Sequence, residues 1–449
     1  MRVLFVTLAA ATHLHAQVPV AWALRAAGHD VCVASHPDVV DDIVRSGLTP
    51  VPVGEPMDIG RWADVPPLTK EELQDETNIW DARGGVDWEL FDLCELRPEK
   101  LDYAYMQAVF SAWVGASFQE ISSPRVMDDL VGFARQWRPD LIIWDPLTFA
   151  APVAAVAVGA AHARMMFGFD VIGRMRQTYR AALADRPAAL REDPFEEWLG
   201  TALARYGGGF DEQAVLGQWT IDTVPSSMRL EVDQLYVPMR YTPYNGRSTV
   251  EPWLWHPPER RRVCLTLGSS FRELMGGDRA DIGELLRAVA DLDVEVIATL
   301  NTDQLDSLPP LPDNVRAVDF VPLDALLPSC SAIIHHSGSG TTQTALAHGV
   351  PQVIVPTNMM DNVLKAQRVE AAGAGLHVRD TAALTADSLR ALLLRVLDEP
   401  SFAAKAAAVR REMLAAPAPR DIVPVLERLT ALGRSQAVPE LPDTPWAVP

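Results

Sequence analysis

The chain has few cysteines and lacks any apolar run long enough to cross a membrane. Four cysteines occur in 449 residues, and none forms a Cys-x-x-Cys pair, which favours reduced thiols in a cytosolic protein. A membrane-spanning helix needs about 20 consecutive apolar residues, and no stretch approaches that length. The opening residues Met1–Thr7 are too few for a signal peptide and instead predict a first strand. We therefore expect a cytoplasmic protein that does not enter a membrane.

Positive charge is also scarce. The sequence has 39 lysines and arginines against 59 aspartates and glutamates, so its net charge is −20. Nucleic-acid binding is not expected, because phosphate backbones recruit lysine and arginine. The balance of 48% hydrophobic and 22% charged residues is typical of a globular protein. The length is sufficient for two or three domains.

A turn rich in glycine and serine, His335–Thr342, is the most informative segment. It matches neither Gly-x-x-x-x-Gly-Lys-[Ser/Thr] nor Gly-x-Gly-x-x-Gly, so a P-loop NTPase is not expected. It follows the apolar run Ala332–Ile334, which predicts a buried strand, and precedes Gln343–Gly349, which predicts a helix ended by glycine. At such a junction the backbone N–H groups and the helix dipole favour a phosphate. The candidate phosphate ligands are His336, Gly338, Ser339, Gly340 and Thr341.

A second predicted strand brings further polar groups to the same edge. The stretch Gly349–Pro356 predicts a buried strand, and the loop after it carries Asp361 and Asn362. Phosphate donors followed by a carboxylate and an amide suggest a nucleotide-sugar site. Two alternatives stay open for the turn: it is purely structural, or its adjacent histidines bind a metal. A metal is disfavoured because neighbouring side chains diverge and no other histidine or cysteine lies at ligand spacing.

The order of predicted strands and helices indicates two similar α/β domains. Strand Arg2–Leu8, helix Val18–Ala27 and strand Val31–Ala34 form a βαβ unit, which implies a parallel sheet with helices on both faces. A second set of this kind begins with the strand Val263–Leu267. We expect two Rossmann-like domains with parallel sheets that face each other across a central cleft.

Changes in composition predict the domain boundaries. Residues 1–236 form the N-terminal domain, with a helical insertion at about 55–129, where strands vanish and aromatic residues appear among charges. The proline-rich stretch 237–258 is the expected linker. Residues 259–449 form the C-terminal domain with a C-terminal tail.

Four polar residues follow predicted strands: His13, Asp145, Ser269 and His336. In open α/β sheets the ligand binds outside the carboxyl ends of the strands, so we expect these residues to line the cleft. Ser269, next to Gly268, would approach a diphosphate from the turn opposite His336. The alternative for that pair is a plain tight turn.

His13 is the candidate general base, because histidine is the side chain best suited to move a proton near neutral pH. The alternative is an ordinary histidine in the predicted loop Ala9–His15. Asp145 is the candidate partner that accepts the other ring proton of His13 and so orients it. The alternatives for Asp145 are a helix N-cap or a turn residue before Pro146.

Segments spread over nearly the whole chain match a known family. They are Thr12–Leu14, Pro19–His29, Trp137–Pro152, Gly217–Asp222, Arg240–Gly246, Pro257–Gly268, His335–Thr342 and Val350–Pro356. In these segments the chain resembles the GT-B glycosyltransferases that decorate natural products, within the macrolide deoxysugar transferases of the desosaminyltransferase type. The resemblance is far more specific than the turn alone.

The resemblance implies an inverting transfer of a deoxysugar, expected to be an amino sugar, from a dTDP carrier to a hydroxyl of a polyketide or macrolide aglycone in antibiotic-type biosynthesis. It implies that His13 is the general base and that the loop carrying Val321 binds the nucleobase of the donor. His336 would donate to a diphosphate oxygen as the bond to the sugar breaks. No metal or other cofactor is expected, whereas a cytochrome P450-like auxiliary protein is.

Two departures from the family pattern concern the donor. Many relatives read His-His-Gly-Gly where this chain has His335–Gly338, and many carry Asp-Gln where it has Asp361–Asn362. In relatives that pair holds sugar hydroxyls. The shorter amide therefore suggests altered contacts, as a highly deoxygenated sugar would permit.

Apolar residues near the predicted strand ends are the candidate acceptor site: Trp144, Phe149, Met165 and Phe167. The alternative for them is core packing, which is the commoner role of such residues. Phe320, beside Val321, is expected in the core. The aromatic insertion at 55–129 lines an acceptor pocket, docks the auxiliary protein or forms a plain helical core. A homodimer is also allowed.

Two rival functions stay open from the residues. A nucleotide-sugar epimerase shares the two-domain architecture, but it needs an acid/base pair beside the sugar and no large acceptor pocket. A non-catalytic protein that binds sugar nucleotides is the other rival. The presence of His13, Asp145 and His336 together disfavours it.

Overall fold

Two parallel sheets form the molecule in the computed structural model, which describes residues 1–57, 92–268, 282–306, 308–357 and 360–434. Successive residues of a central strand alternate between two cores: Leu4 and Val6 pack on one side of the first sheet, and Val3 and Phe5 on the other. This alternation shows that helices cover both faces of the sheet, as parallel sheets require.

The first sheet has its strands in the order β3-β2-β1-β4-β5-β6-β7. All of its strand pairs are parallel. The strands are β1 (Arg2–Val6), β2 (Asp30–Ser35), β3 (Thr49–Pro52), β4 (Leu141–Trp144), β5 (Ala161–Met165), β6 (Trp219–Asp222) and β7 (Tyr236–Pro238). The α-helices described between them are Ala11–Ala26, Val40–Arg45, Tyr103–Trp113, Gln119–Ile121, Pro124–Trp137, Ala150–Val158, Val171–Ala184, Pro194–Arg205 and Gln213–Leu216.

The second sheet has the order β10-β9-β8-β11-β12-β13 and is also parallel. Its strands are β8 (Arg261–Thr266), β9 (Val294–Thr299), β10 (Val315–Val318), β11 (Cys330–His335), β12 (Gln352–Ile354) and β13 (Gly375–His377). The α-helices described in this half are Ile282–Val289, Thr302–Asp306, Leu323–Leu326, Ser339–His348, Asn362–Ala371, Ala386–Asp398, Pro400–Ala415 and Val423–Gly433. In the part of the chain that the structure describes, no helix combines the length and apolar character that a bilayer crossing requires.

Helix Ala11–Ala26 begins earlier than predicted. A loop was expected over Ala9–His15, but His13 lies in the first turn of the helix. Ala10 occupies the N-cap position without a side-chain hydrogen bond, and Pro19 lies inside the helix. A capping side chain and a proline in the first turn are the usual signals of a helix start. Here the capping side chain is missing and the proline lies further along the helix, which explains why the helix start was predicted too late.

The chain returns from the second domain to the first. Helix Val423–Gly433 packs its apolar side against the core formed by β1 and β4 of the first sheet. Its end is held by Gln218, whose Nε2 donates to Gly433 O at 3.1 Å. Strand β7 also extends the first sheet into the stretch 237–258 that was expected to be linker. Residues 259–449 are therefore not confined to the C-terminal domain, and the tail after Arg434 lies outside the described residues.

The described part of the predicted insertion forms a helical core. Helix Tyr103–Trp113 and the π-helical turn Val114–Phe118 bury Phe110 and Phe118 completely. The Phe118 ring lies 4.8 Å from the Phe149 ring, centroid to centroid. The core alternative therefore holds for these aromatic residues. Tyr103, Tyr105 and Trp113 are partly buried against the same core. Four further aromatic residues of the insertion lie outside the described residues: Trp62, Trp80, Trp88 and Phe91.

Candidate active site

The strand ends of the first sheet bring His13 and Asp145 into contact. Strands β1 and β4 are neighbours, so the helix after β1 and the turn after β4 begin side by side. His13 Nδ1 lies 2.6 Å from Asp145 Oδ2, and the carboxylate is buried. Asp145 Oδ1 also accepts the Leu147 N–H at 3.0 Å. Asp145 therefore closes the turn after its strand and contacts His13 at the same time.

The contact with Asp145 selects one tautomer of His13. A carboxylate only accepts hydrogen bonds, so in the neutral ring the proton is on Nδ1 and Nε2 has the lone pair. The His13 ring packs against the Phe167 ring at 4.1 Å between centroids, and 15% of the His13 side chain is exposed. An imidazole held in this way is able to accept a proton from a hydroxyl group at Nε2.

The turn after β11 is shaped by His335, which is fully buried. Its Nε2 lies 2.8 Å from Gln352 Oε1, and its Nδ1 accepts the Ser337 N–H at 3.1 Å. Burial, together with the adjacent His336, lowers the pKa of His335 to about 3. His335 is therefore neutral and serves to hold the turn.

His336 lies between two glycines. A Cβ atom at Gly268 would clash with His336 Cε1, and one at Gly338 would come 2.8 Å from its Nε2. Gly268 also has φ of +77°, in the left-handed region that favours glycine. Both turns are thus built around the imidazole ring. Ser269, predicted to approach from the same turn, lies outside the described residues.

Helix Ser339–His348 begins at this turn. Gly338 is its N-cap and makes no side-chain capping bond. The first N–H groups of a helix lack intrahelical acceptors and carry the positive end of the helix dipole. The predicted phosphate ligands therefore surround one helix end, where an anion binds favourably.

Ser337 has a backbone conformation that favours glycine, with φ of +77°. Its side chain is fully buried, and its hydroxyl has no hydrogen-bond partner among the described residues. A left-handed conformation costs a residue with a Cβ roughly 1–2 kcal/mol. Serine at this position is therefore strained.

Asp361 and Asn362 make internal hydrogen bonds. Asp361 Oδ1 accepts from Lys365 Nζ at 2.7 Å, and Oδ2 accepts the Phe169 N–H at 2.9 Å. Asn362 Nδ2 donates to Thr357 Oγ1 at 2.7 Å. Both side chains are buried. The predicted contacts with sugar hydroxyls would compete with these bonds.

The loop after β10 is predicted to bind the nucleobase. Two adjacent side chains of this loop differ in exposure, since one is buried and the other is open to solvent. Val321 is 3% exposed and packs beside Leu326, whereas Phe320 is 57% exposed. The prediction that Phe320 belongs to the core is therefore wrong. Because β10 is the edge strand of its sheet, the loop after it has neighbours on only one side.

Three of the predicted acceptor residues lie in the core instead. Trp144 and Phe149 are fully buried with their rings 5.8 Å apart, and Met165 is 1% exposed. This burial favours the core alternative over acceptor binding for these three residues. Phe167 differs because it is half-buried and touches the His13 ring.

Sequence reasoning missed residues that join the two domains. Gln343, on the helix after the phosphate turn, donates its Nε2 to Phe167 O at 3.1 Å. Lys365 lies one helical turn after Asp361 and pairs with it. The spacing of four residues between an acid and a lysine was the available signal, but it does not show what else the lysine contacts.

Two family models match most of the chain. The N-terminal domain model of the erythromycin biosynthesis protein CIII-like family matches residues 22–83 and 88–268, and the C-terminal domain model matches residues 283–429. This chain belongs to the erythromycin biosynthesis protein CIII-like family. The resemblance predicted from the sequence is confirmed.

Full-length relatives define the kind of enzyme. The aclacinomycin-T 2-deoxy-L-fucose transferase of Streptomyces galilaeus is 54% identical over 431 residues, which are 96% of each chain. The 3-alpha-mycarosylerythronolide B desosaminyl transferase of Saccharopolyspora erythraea is 44% identical over 96% of this chain and 99% of its own. The family member described here is a glycosyltransferase, as predicted.

Solved structures confirm the GT-B fold. The glycosyltransferase VinC in complex with dTDP is 42% identical, with a TM-score of 0.84, over 96% of this chain and 100% of that chain. The spinosyn forosaminyltransferase SpnP is 42% identical, with a TM-score of 0.77, over 96% of this chain and 99% of that chain. Two Rossmann-like domains with parallel sheets are common to all three.

Proposed function

We propose that this glycosyltransferase moves a deoxysugar from a dTDP carrier to a hydroxyl group of a polyketide aglycone, with inversion at the anomeric carbon. The observation that carries the proposal is the His13–Asp145 pair at 2.6 Å, held at the cleft edge of one sheet. The phosphate turn of the other sheet is linked to it through Phe167. The relatives support the substrate classes, since VinC was solved with dTDP and two close relatives are deoxysugar transferases.

The proposed reaction is a single displacement. The acceptor hydroxyl gives its proton to His13 Nε2 while its oxygen attacks the anomeric carbon. The bond from that carbon to the diphosphate oxygen breaks on the opposite face, which inverts the centre. Negative charge grows on the departing dTDP, and the N-terminus of helix Ser339–His348 together with His336 stabilises it. Asp145 keeps His13 in the tautomer that accepts the proton.

A divalent metal is not part of the proposed mechanism. Among the residues that the structure describes, no group of three or more histidine, cysteine or acidic side chains is arranged to hold a metal. The helix dipole and neighbouring side chains take the place of a cation beside the diphosphate. Turnover is expected to continue in EDTA. Complete loss of activity in EDTA, restored by magnesium or manganese, would contradict this part of the proposal.

A product assay tests the function as a whole. The full chain is incubated with a panel of dTDP-deoxysugars and polyketide aglycones, and both dTDP release and the mass of the aglycone are measured. We expect dTDP release that depends on the aglycone and a mass gain of one deoxysugar. Isomerisation of the dTDP-sugar without an acceptor would favour an epimerase. Binding without any turnover would favour a non-catalytic sugar-nucleotide-binding protein.

We also propose that an auxiliary protein of the cytochrome P450-like type raises the activity. The family resemblance supports this proposal, whereas Phe110 and Phe118 of the insertion are fully buried and add nothing to it. The expected mechanism is a shift of the population toward a state that binds the acceptor. Equal turnover rates with and without the auxiliary protein would contradict this proposal. The same samples on a sizing column test whether the chain forms a homodimer.

A further inference from the structure

Behind the phosphate turn lies a buried ammonium group with no assigned role. Lys365 Nζ donates to Ser339 Oγ and to Asp361 Oδ1, both at 2.7 Å. The side chains of Lys365 and Asp361 are only 6% and 7% exposed. A buried lysine stays charged only when it is well paired and hydrogen-bonded, so this arrangement is specific and not a random surface pair.

The contact with Ser339 directs that hydroxyl. Ser339 is the first residue of the helix after the phosphate turn. Because its oxygen accepts a hydrogen bond from Lys365 Nζ, its own O–H must donate in another direction. A hydroxyl that accepts from a cation is also a stronger donor, since hydrogen bonds in a chain polarise one another. The Lys365–Asp361 pair thus acts as a dipole whose positive end touches the turn.

Asp361 anchors this dipole to the other domain. Its Oδ2 accepts the Phe169 N–H at 2.9 Å, and a Cβ atom at Gly168 would come 2.5 Å from the same oxygen. Phe169, which supplies this N–H, is followed by Asp170. The buried Arg164 fixes Asp170, because its NH2 group donates to Asp170 Oδ2 at 2.6 Å. The ammonium position is therefore set by both domains together.

We infer that Lys365 is a positioning residue of the donor site: it aims and strengthens the Ser339 hydroxyl as a hydrogen-bond donor to a diphosphate oxygen, with Asp361 as its anchor across the domain boundary. This inference rests on the proposed function. It gives Asp361 a role in the diphosphate end of the site instead of direct contact with sugar hydroxyls. It also explains why an acidic chain of net charge −20 keeps a buried lysine at this place.

Calorimetric titration of the full chain with dTDP, which has no sugar, tests the inference. The main variant is Lys365→Met with Asp361→Asn, because removing both charges avoids an unpaired buried carboxylate. We expect its dTDP affinity to fall roughly tenfold or more, as for loss of a charge-assisted hydrogen bond. Ser339→Ala should lose a similar factor. Combining all three changes should weaken binding no further than the worse parent, because the groups act as a unit.

Two further variants serve as controls. Lys365→Arg keeps a charged donor and should bind dTDP within a few-fold of wild type. Arg368→Met removes a partly exposed cation on the next turn of the same helix and should leave the affinity unchanged. Circular dichroism melting establishes that each variant is folded.

Wild-type dTDP affinity in the Lys365→Met/Asp361→Asn variant would overturn the inference. Fold-changes that multiply when Ser339→Ala is added would overturn it as well, since they would show independent actions. A wild-type chain that does not bind dTDP would instead contradict the proposed donor. The same variants would then be compared with the nucleoside diphosphate that the chain does bind.

Discussion

Two buried aspartates, one at the cleft edge of each domain, differ in where their partners come from. Asp145 follows β4 and binds His13, which follows the neighbouring strand β1 of the same sheet. Asp361 follows β12 and accepts a hydrogen bond from Phe169 of the other domain. Adjacent parallel strands deliver their ends to one place, so the first contact follows from strand order. The second depends on how the domains dock. The proposed base is therefore positioned within one domain, whereas the proposed donor site is assembled from both.

The largest effect on turnover is expected from a change to His13, whose contact with Asp145 lies within one domain. His13→Ala should reduce turnover roughly 10²–10⁴-fold, the usual cost of losing a general base. Its dTDP affinity should stay near wild type, because the phosphate turn belongs to the other domain. Steady-state rates and calorimetry on the same sample measure both quantities. His15→Ala, two residues along the same helix, is the matched control and should keep most of the activity. Near-wild-type turnover without His13 would refute its role as base.

Asp145→Asn tests whether the carboxylate selects the tautomer. An amide has the same shape, but its NH₂ group can donate to His13 Nδ1 and so leave the proton on the wrong nitrogen. We expect turnover to fall roughly 10²-fold or more, with dTDP affinity unchanged. Asp140→Asn, at the opposite end of β4 on the surface, should have little effect. If the Asp145→Asn variant is active, Asp145 does not select the tautomer, and its role is limited to the turn that it closes through the Leu147 N–H.

His336→Ala should act on both binding and rate, in contrast to His13→Ala. Loss of one hydrogen bond to a charged oxygen should weaken dTDP binding roughly tenfold, and turnover should fall because the same bond stabilises the departing diphosphate. His348→Ala, at the far end of the helix that follows this turn, where it pairs with Asp324 at 2.8 Å, is the control. If His336→Ala changes neither affinity nor rate, the turn has only a structural role.

The smallest effect is expected at Ser337. Ser337→Gly relieves a positive φ and removes a buried hydroxyl that has no partner among the described residues. Those gains exceed the backbone entropy that glycine loses, so unfolding free energy should rise by about 1 kcal/mol. Urea denaturation measures the change. Ser337→Ala removes the hydroxyl but keeps the strain, and it should gain less. A destabilised glycine variant would show that Ser337 makes a contact that outweighs its strain.

The sequence predicted where strands end, but it did not predict which side chains near those ends are exposed and which are buried. Asp145 was assigned correctly to a strand end, because the apolar run Leu141–Trp144 marks the strand and the polar residue after it marks its end. His13 lies instead in the first turn of the helix that follows β1. Trp144 and Phe149 lie next to the same ends, yet both are fully buried. Sequence position does not tell which face a large aromatic takes when the strand stops and the chain turns.

Sequence pattern by itself determined the two α/β domains, the parallel sheets, the phosphate turn and the candidate base, since each rests on local periodicity or on a short spacing of residue types. The tertiary structure decided the rest. The return of helix Val423–Gly433 to the first domain and the hydrogen bond from the Phe169 N–H to Asp361 join residues far apart in the chain. The exposure of Phe320 likewise follows from how the elements around it pack. Such contacts depend on packing between elements and domains, which no local pattern encodes.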